Sequence, residues 1–205
     1  MIETARDGDI VTITLNRPDK ANALTFAMLE QLVEAVEQAA PARAVILTGR
    51  GKVFSAGADL DDARAGLATA DVWERLSSAV ARFDGLSIAA LNGTLAGGAM
   101  GMALACDIRL AVPQARFFYP VMKLGFLPQP SDPGRLRALI GPARSKLILM
   151  GGQKIDADEA LAFGLIDRIV APEALLQGAR DLAQDTLGAA PAHALAIKQM
   201  CTAEA

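Results

Sequence analysis

Two short segments hold the residue types best suited to chemistry: Phe54-Ser55-Ala56-Gly57-Ala58-Asp59-Leu60 and Asn92-Gly93-Thr94-Leu95-Ala96-Gly97-Gly98. Each follows an apolar run that reads as a sheet strand, residues 44–48 and 88–91. In a parallel sheet the loops after the strands collect at one edge, where ligands bind. Small residues let backbone N–H groups approach a ligand closely. In the second segment those N–H groups also open a helix, whose dipole favours negative charge. Two converging amides suit a thioester oxygen as it becomes an enolate. The same glycines are equally what tight turns and close packing demand, and composition does not separate the two readings.

Other chemistries lack their parts. His193 is the one histidine of the chain and lies among alanines in a late helical stretch. That argues against metal sites with several histidines and against a histidine-based triad such as a Clp-like protease needs. Gly97-Gly98-x-x-Gly101 has neither the first-strand position nor the trailing acid of a dinucleotide fingerprint, and Gly49-Arg50-Gly51-Lys52 lacks P-loop spacing. The net charge of −3 gives no general attraction to nucleic acid or anionic membranes. Residues 86–106 carry no charge over a length that could span a bilayer. Asn92-Gly93 and Gly97-Gly98 interrupt any such helix, and no Lys or Arg clusters flank it, so no membrane span is expected. Without an N-terminal signal pattern, a cytoplasmic location is expected. Cys106 and Cys201 read as reduced thiols, with Cys106 in the core.

The elements that must position these loops form an α/β pattern. Asp7-Gly8 reads as the turn of a hairpin with arms 2–6 and 10–15. Thr25 caps a helix whose buried stripe is Met28, Leu29, Leu32, Val33 and Val36, with Leu24 and Leu29 as a hydrophobic staple. A loop rich in Gly and Ala follows the strand at 44–48. Next come a helix near 71–83, the strand 88–91, a short buried helix at 99–105 and a strand at 108–112. Beyond Phe118 prolines punctuate a loop. Helices then dominate at 134–140, 143–151, 157–163, 173–187 and 191–203, with one strand at 165–170. The expected organisation is a core over 1–133 carrying the site and a helical region over 134–205, packed as one compact unit.

Several motifs in register resemble the enoyl-CoA hydratase/isomerase (crotonase) family. The two glycine segments resemble its two signatures, the second running on to Cys106-Asp107. Arg17-Pro18-Asp19-Lys20-Ala21-Asn22-Ala23-Leu24, Lys123-Leu124-Gly125-Phe126-Leu127-Pro128 and the stretch 157–170 also match, so the resemblance runs in order from about residue 3 to 200. It implies a crotonase-like, right-handed ββα spiral core with a helical C-terminal region, assembled as homotrimers or dimers of trimers and acting in fatty acid metabolism as a lyase or isomerase. By position, the amides of Ala58 and Gly98 would form the oxyanion hole for an acyl-CoA thioester. Lys20, Ala21, Ala56, Asp59, Leu60 and Asp61 would border coenzyme A, which enters as part of the substrate; no separate cofactor or metal is implied.

The same alignment sets Gly101 and Val121 where hydratases of the family carry their two glutamates, and Gln129 where some isomerases and dehalogenases carry an aspartate. Neither Gly101 nor Val121 moves a proton, and Gln129 can orient a group without acting as a base. Ordinary two-glutamate hydration is therefore not expected. Enolate-stabilising chemistry or acyl-CoA binding without catalysis are the two readings that remain. Asp132, in a proline-rich loop expected to rim the pocket, is a candidate acid or base; Asp61, Asp62 and Tyr119 read more simply as capping, solvated and packed residues. Family members continue for several helices past the segment matching 192–200, so a more open pocket, or one covered by a neighbouring subunit, is expected.

Overall fold

The structure, a computed structural model, describes residues 1–202. Strands β1 (Ile2–Asp7) and β2 (Ile10–Leu15) form an antiparallel hairpin. Its two-residue turn is Gly8-Asp9, one position later than the Asp7-Gly8 pair suggests, with Gly8 at φ 58°. Helix α1 (Phe26–Glu37) starts at Thr25, whose side chain accepts from the Met28 amide. Leu24 and Leu29 are buried at its entry, as a staple requires, and the whole expected stripe from Met28 to Val36 is buried.

From there the chain repeats one unit three times: a core strand, a short outer strand, a helical segment. The first comprises β3 (Ala44–Gly49), β4 (Val53–Ser55) and α2 (Leu60–Arg64), followed by α3 (Val72–Ala81). The second is β5 (Leu86–Leu91), β6 (Thr94–Ala96) and α4 (Met100–Leu104), and the third is β7 (Ile108–Ala111), β8 (Arg116–Phe118) and α5 (Val121–Leu124). Then follow α6 (Asp132–Leu149), β9 (Ile155–Asp156), α7 (Ala157–Phe163), β10 (Arg168–Ile169), α8 (Leu175–Gly188) and α9 (Pro191–Thr202).

The core strands make a six-stranded sheet in the order β1-β2-β3-β5-β7-β10, parallel from β2 onward. The outer strands make a second sheet, β4-β6-β8-β9. Buried parallel strands read as continuous apolar runs, and 44–47 and 88–91 are such runs, fully enclosed. This two-sheet ββα spiral is the crotonase fold, an α/β core followed by a helical C-terminal region.

Several local expectations are corrected. The loop after β3 contains β4, α2 and a 3₁₀ turn at Leu67–Thr69. The two helices expected at 134–140 and 143–151 run together as α6, kinked where Gly141 sits at φ 77° ahead of Pro142. The strand expected at 165–170 is only two residues long, and β9 is an added pairing with β8. α9 is described to Thr202; the expected end at 203 lies outside the described residues. Residues 86–106, uncharged throughout, are strand, turn and short helix in the core. Among the described residues no helix is long and apolar enough to cross a membrane. Cys106 is buried in the core, where desolvation pushes its thiol up to about 12, while Cys201 is exposed.

Candidate active site

The two glycine segments meet. A Cβ placed on Gly57, whose φ is 94°, would lie 3.0 Å from the Ala96 carbonyl oxygen and 3.5 Å from the Gly97 Cα. Only a residue without a side chain lets the loops after β4 and β6 touch in this way. The contact follows from the sheets: β4 pairs with β6 in parallel, so the chain leaves both strands at the same edge.

The Ala58 amide is turned away from Leu24. Leu24 donates to the Gly57 carbonyl (2.8 Å) and accepts from the Asp59 amide (2.8 Å), the two bonds of a parallel bridge centred on Ala58. In a parallel ladder the residue flanked by such a pair points its own N–H to the other side. Gly98 stands second in the 3₁₀ turn Gly97–Ala99 that leads into α4, where N–H groups have no intrahelical acceptor. Both residues are half-buried, so both remain within reach of a ligand. Behind Gly98 lies the Trp73 ring: a Cβ on Gly98 would come within 3.3 Å of it. Trp73 is itself fixed, its indole N–H donating to Leu67 O at 2.7 Å.

Two asparagines hold the first loop in place. Asn22, fully buried at φ 51°, donates to Arg50 O (3.0 Å) and Val53 O (2.8 Å) and accepts from the Arg17 amide (2.8 Å). Asn92 accepts from the Gly49 amide and donates to Gly51 O at 2.9 Å. The Asn92-Gly93 pair shows in the sequence only as a turn; its tie to residues 49–53 comes from a chain segment some forty residues away. Replacing Asn22 by Ala strands the Arg50 carbonyl and the Arg17 amide, leaves Val53 O only its longer bond from Asn92, and should cost about 3 kcal/mol. Urea denaturation checks this, and a midpoint within error of the parent would count against the assigned role.

The residues expected to border a ligand are distributed as follows. Lys20 ends an exposed 3₁₀ turn, and Ala21, at φ 49°, accepts from the Ala56 amide at 3.0 Å, so these three adjoin the first loop. Asp59 caps α2 and accepts from Arg17 at 2.7 Å; the Arg17 hydrogen bond holds its carboxyl below the usual carboxylate range. Leu60 is exposed, and Asp61 is solvated with Arg64 as its neighbour. Asp62 accepts from the Phe26 amide at 2.7 Å, a capping role. Gln129 donates to Ala68 O at 3.2 Å, tying the proline-rich loop to the segment below α2.

Asp132 is not at the rim. It is the first residue of α6 and only 1% exposed. Tyr119 donates to its Oδ2 at 2.9 Å, while Oδ1 faces Gly101, where a Cβ would lie 2.8 Å away. Desolvation raises the Asp132 carboxyl to about 7 against the lowering effects of Tyr119 and Arg135. Burial likewise pushes the Tyr119 hydroxyl well above its ordinary range, so it stays a donor. Glu74, on α3, accepts from both the amide and the hydroxyl of Ser131 and so fixes the residue before Asp132. The sequence names Gly101, Tyr119 and Asp132 separately but gives no sign that they gather, because α4, the segment after β8 and α6 meet only in three dimensions.

A two-sheet ββα spiral with two touching glycine loops at one sheet edge defines a crotonase-type protein. The chain belongs to the enoyl-CoA hydratase/isomerase family, whose sequence pattern it matches over residues 5–205. It is 34% identical to the short-chain-enoyl-CoA hydratase of Clostridium acetobutylicum, over 95% of this chain and 78% of that one. With the carnitinyl-CoA dehydratase of Citrobacter koseri it shares 37% identity over 95% of this chain and 77% of the relative. Among solved structures, an enoyl-CoA hydratase from Bacillus anthracis superposes with a TM-score of 0.89 at 33% identity, covering 97% of this chain and 81% of that one. Pseudomonas aeruginosa DspI gives a TM-score of 0.89 at 32% identity, covering 98% and 85%. Acyl-CoA processing is the activity this kinship supports.

Proposed function

We propose that the chain is an enzyme that binds an acyl-CoA thioester with its carbonyl oxygen between the N–H groups of Ala58 and Gly98, and stabilises the enolate formed there. The observation that carries this reading is the junction of the two loops through Gly57 and Gly97. Next to that contact in the chain stand one amide turned away from its bridge and one that opens a helical turn, which supports the reading. Such donors gain most as negative charge grows on the oxygen, because they are already oriented when the reaction begins. The Trp73 ring behind Gly98 adds rigidity and excludes water on that side.

Coenzyme A would lie along Lys20, Ala21, Ala56 and the backbone of Asp59, Leu60 and Asp61, with Gln129 on the far loop. The Asp59 carboxylate serves the Arg17 pair, so its contribution to the ligand is its main chain. Gly101 and Val121 offer no proton-moving group, which argues against water addition by paired glutamates. Assembly as a homotrimer or dimer of trimers would cover the exposed apolar Met122, Leu124, Phe126 and Leu127.

Calorimetry with acetyl-, butyryl- and enoyl-CoA tests the binding half directly: the folded chain should bind, and a folded chain that binds none of them refutes the reading. Gly98→Pro removes one of the two donors. It should lower turnover on the best thioester by about 10²–10³-fold, the loss expected for a missing oxyanion donor. Turnover surviving that change would exclude Gly98 from the hole, and binding with no turnover across a panel of enoyl, dienoyl, malonyl and β-hydroxyacyl thioesters would favour a non-catalytic binder.

A further inference from the structure

We propose that the Arg17–Asp59 ion pair is a positioning device: it fixes the direction of the Ala58 N–H, and breaking it weakens the grip on the thioester oxygen while the fold survives. The inference rests on the oxyanion reading above and adds to it the side chains that hold the first donor in place.

The backbone around Ala58 shows why an anchor is needed. Ala58 belongs to no strand, and its bridge to Leu24 consists of two hydrogen bonds, at Gly57 O and at the Asp59 amide. Upstream the chain is well held. β4 ends at Ser55, whose buried hydroxyl donates to Asn22 O at 2.9 Å, and the Ala56 amide donates to Ala21 O at 3.0 Å. Downstream it is not. α2 is five residues long with no buried residue, and the next side chain sunk in the core is Leu67. The tie from the Phe26 amide to Asp62 lies further along, at the surface. The peptide that carries the Ala58 N–H thus sits between a glycine at φ 94° and a short surface helix.

Arg17 closes that open end. Its Nη1 donates to Asp59 Oδ2 at 2.7 Å and to Ala23 O at 2.9 Å. One nitrogen therefore joins the residue after Ala58 to the residue before Leu24. Both partners are themselves fixed: the Arg17 amide donates to Asn22 Oδ1 at 2.8 Å, and Asp59 Oδ1 accepts from the Asp61 amide at 3.1 Å. Capping α2 uses Oδ1, which leaves Oδ2 for Arg17. The two side chains are only 22% and 17% exposed, so solvent screens the pair less than it screens a surface pair. The clasping segment, residues 17–24, also carries Lys20 and Ala21, so the hole is fastened to the stretch that would border coenzyme A.

A second pair of similar length and burial provides the comparison. Lys198 lies 2.8 Å from Asp107, with side chains 15% and 22% exposed, and also donates to Phe83 O and Gly85 O. It ties α9 to the beginnings of β5 and β7, whereas the glycine loops follow the ends of β4 and β6. Loss of either pair costs stability; only loss of Arg17–Asp59 should reach the bound carbonyl. A donor that must swing into line as charge develops returns that reorganisation to the barrier. The same donor, when aligned, draws electron density from the carbonyl and lowers its stretching frequency, whatever reaction follows.

The test is infrared difference spectroscopy of butyryl-CoA, labelled with heavy carbon at its carbonyl and bound to the whole chain. On binding to the parent chain the carbonyl stretch should fall below its value in water. Arg17→Met keeps the apolar stem and no donor; it should give back about half of that fall, because one of two donors is displaced. Turnover on the best thioester should drop about 10–10²-fold, the effect of a misplaced group. Affinity for coenzyme A lacking an acyl group should change less than about threefold by calorimetry, since that molecule brings no carbonyl to the hole. Arg17→Lys should restore the stretch, because an ammonium has donors for the same two acceptors. Lys198→Met should lower the denaturant midpoint and leave the stretch where the parent has it. Should Arg17→Met fail to fold, Asp59→Asn takes its place: it keeps the capping oxygen, loses the charge and should move the stretch in the same direction. A folded Arg17→Met chain with the parent's stretch overturns the proposal, as does an unmoved Asp59→Asn chain in its place. So does a Lys198→Met chain that moves the stretch as far, which would tie it to stability rather than to this pair. A parent chain that binds butyryl-CoA without lowering its stretch, or binds none, overturns the oxyanion reading instead, a separate and distinguishable failure.

Discussion

At pH 8, Asp132→Asn should unfold at a higher temperature than the parent chain, and at pH 5 most of that advantage should vanish. The folded protein holds the Asp132 carboxyl near 7, while in the unfolded chain it returns to its ordinary 3.8. Between those two values the folded state keeps a proton that the unfolded state has released. Stability therefore falls as pH rises through that window, at about 1.4 kcal/mol per pH unit for one fully linked group. Across the whole window the loss is about 4 kcal/mol, an upper figure because ionisation draws some compensation from Tyr119 and Arg135. Asparagine carries no such charge, so it escapes the loss. For a chain of this size each kcal/mol moves the midpoint by about 2–4 °C, which makes the expected gap at pH 8 about 10 °C.

Every other titrating group is shared by the two proteins and cancels in the difference between their melting curves. A gap that is the same at pH 5 and pH 8 would falsify the assignment of a raised carboxyl to Asp132. The result would show a buried carboxyl kept at the expense of stability.

What the sequence revealed and what it concealed divide along a physical line. Local signals were legible: Thr25 as a cap, Leu24 with Leu29 as a staple, the apolar runs of β3 and β5, and the helical periodicity of α3 all depend on neighbours in the chain. The family resemblance reached further, because several motifs in order specify a fold that no single one does, and the spiral and the meeting of the two glycine loops follow from it. The short outer strands β4, β6 and β8 escaped residue-by-residue reading because three residues are too few to show a period of two.

Asp132 illustrates the harder case. A proline-flanked aspartate reads as an exposed loop residue, since Asp most often serves turns. Its burial is decided by Gly101, Tyr119 and Glu74, each on a different element. Asn22 is similar: its side chain closes a loop formed twenty-eight to thirty-one residues later. The sequence singles out Asp132 only as a rim residue and Asn22 only as part of a motif, because neither partner set is encoded locally.

Gly57→Ala should disable the site while leaving most of the fold intact, and a matched control separates the two ways it acts. At φ 94° Gly57 occupies a backbone region that residues with a side chain enter only with strain, costing about 1–3 kcal/mol. Gly66, at φ 106°, carries a comparable strain, yet a Cβ there meets nothing within 4 Å. At Gly57 the same Cβ meets the Ala96 carbonyl at 3.0 Å and the Gly97 Cα at 3.5 Å, both backbone atoms that yield only if the loops part. Gly66→Ala should therefore lose the stability that strain alone costs, and Gly57→Ala that loss plus the cost of parting the loops, read as the larger drop in the denaturant midpoint. Only Gly57→Ala should lose turnover, by about 10²–10³-fold if parting the loops removes one donor from the enolate oxygen. A shift of a few tenths of an ångström is enough, because preorganised donors lose their advantage once they must move to meet the charge. Equal turnover in the two variants would mean that the contact between the loops is packing alone, and that the Ala58 and Gly98 amides do not act as a pair.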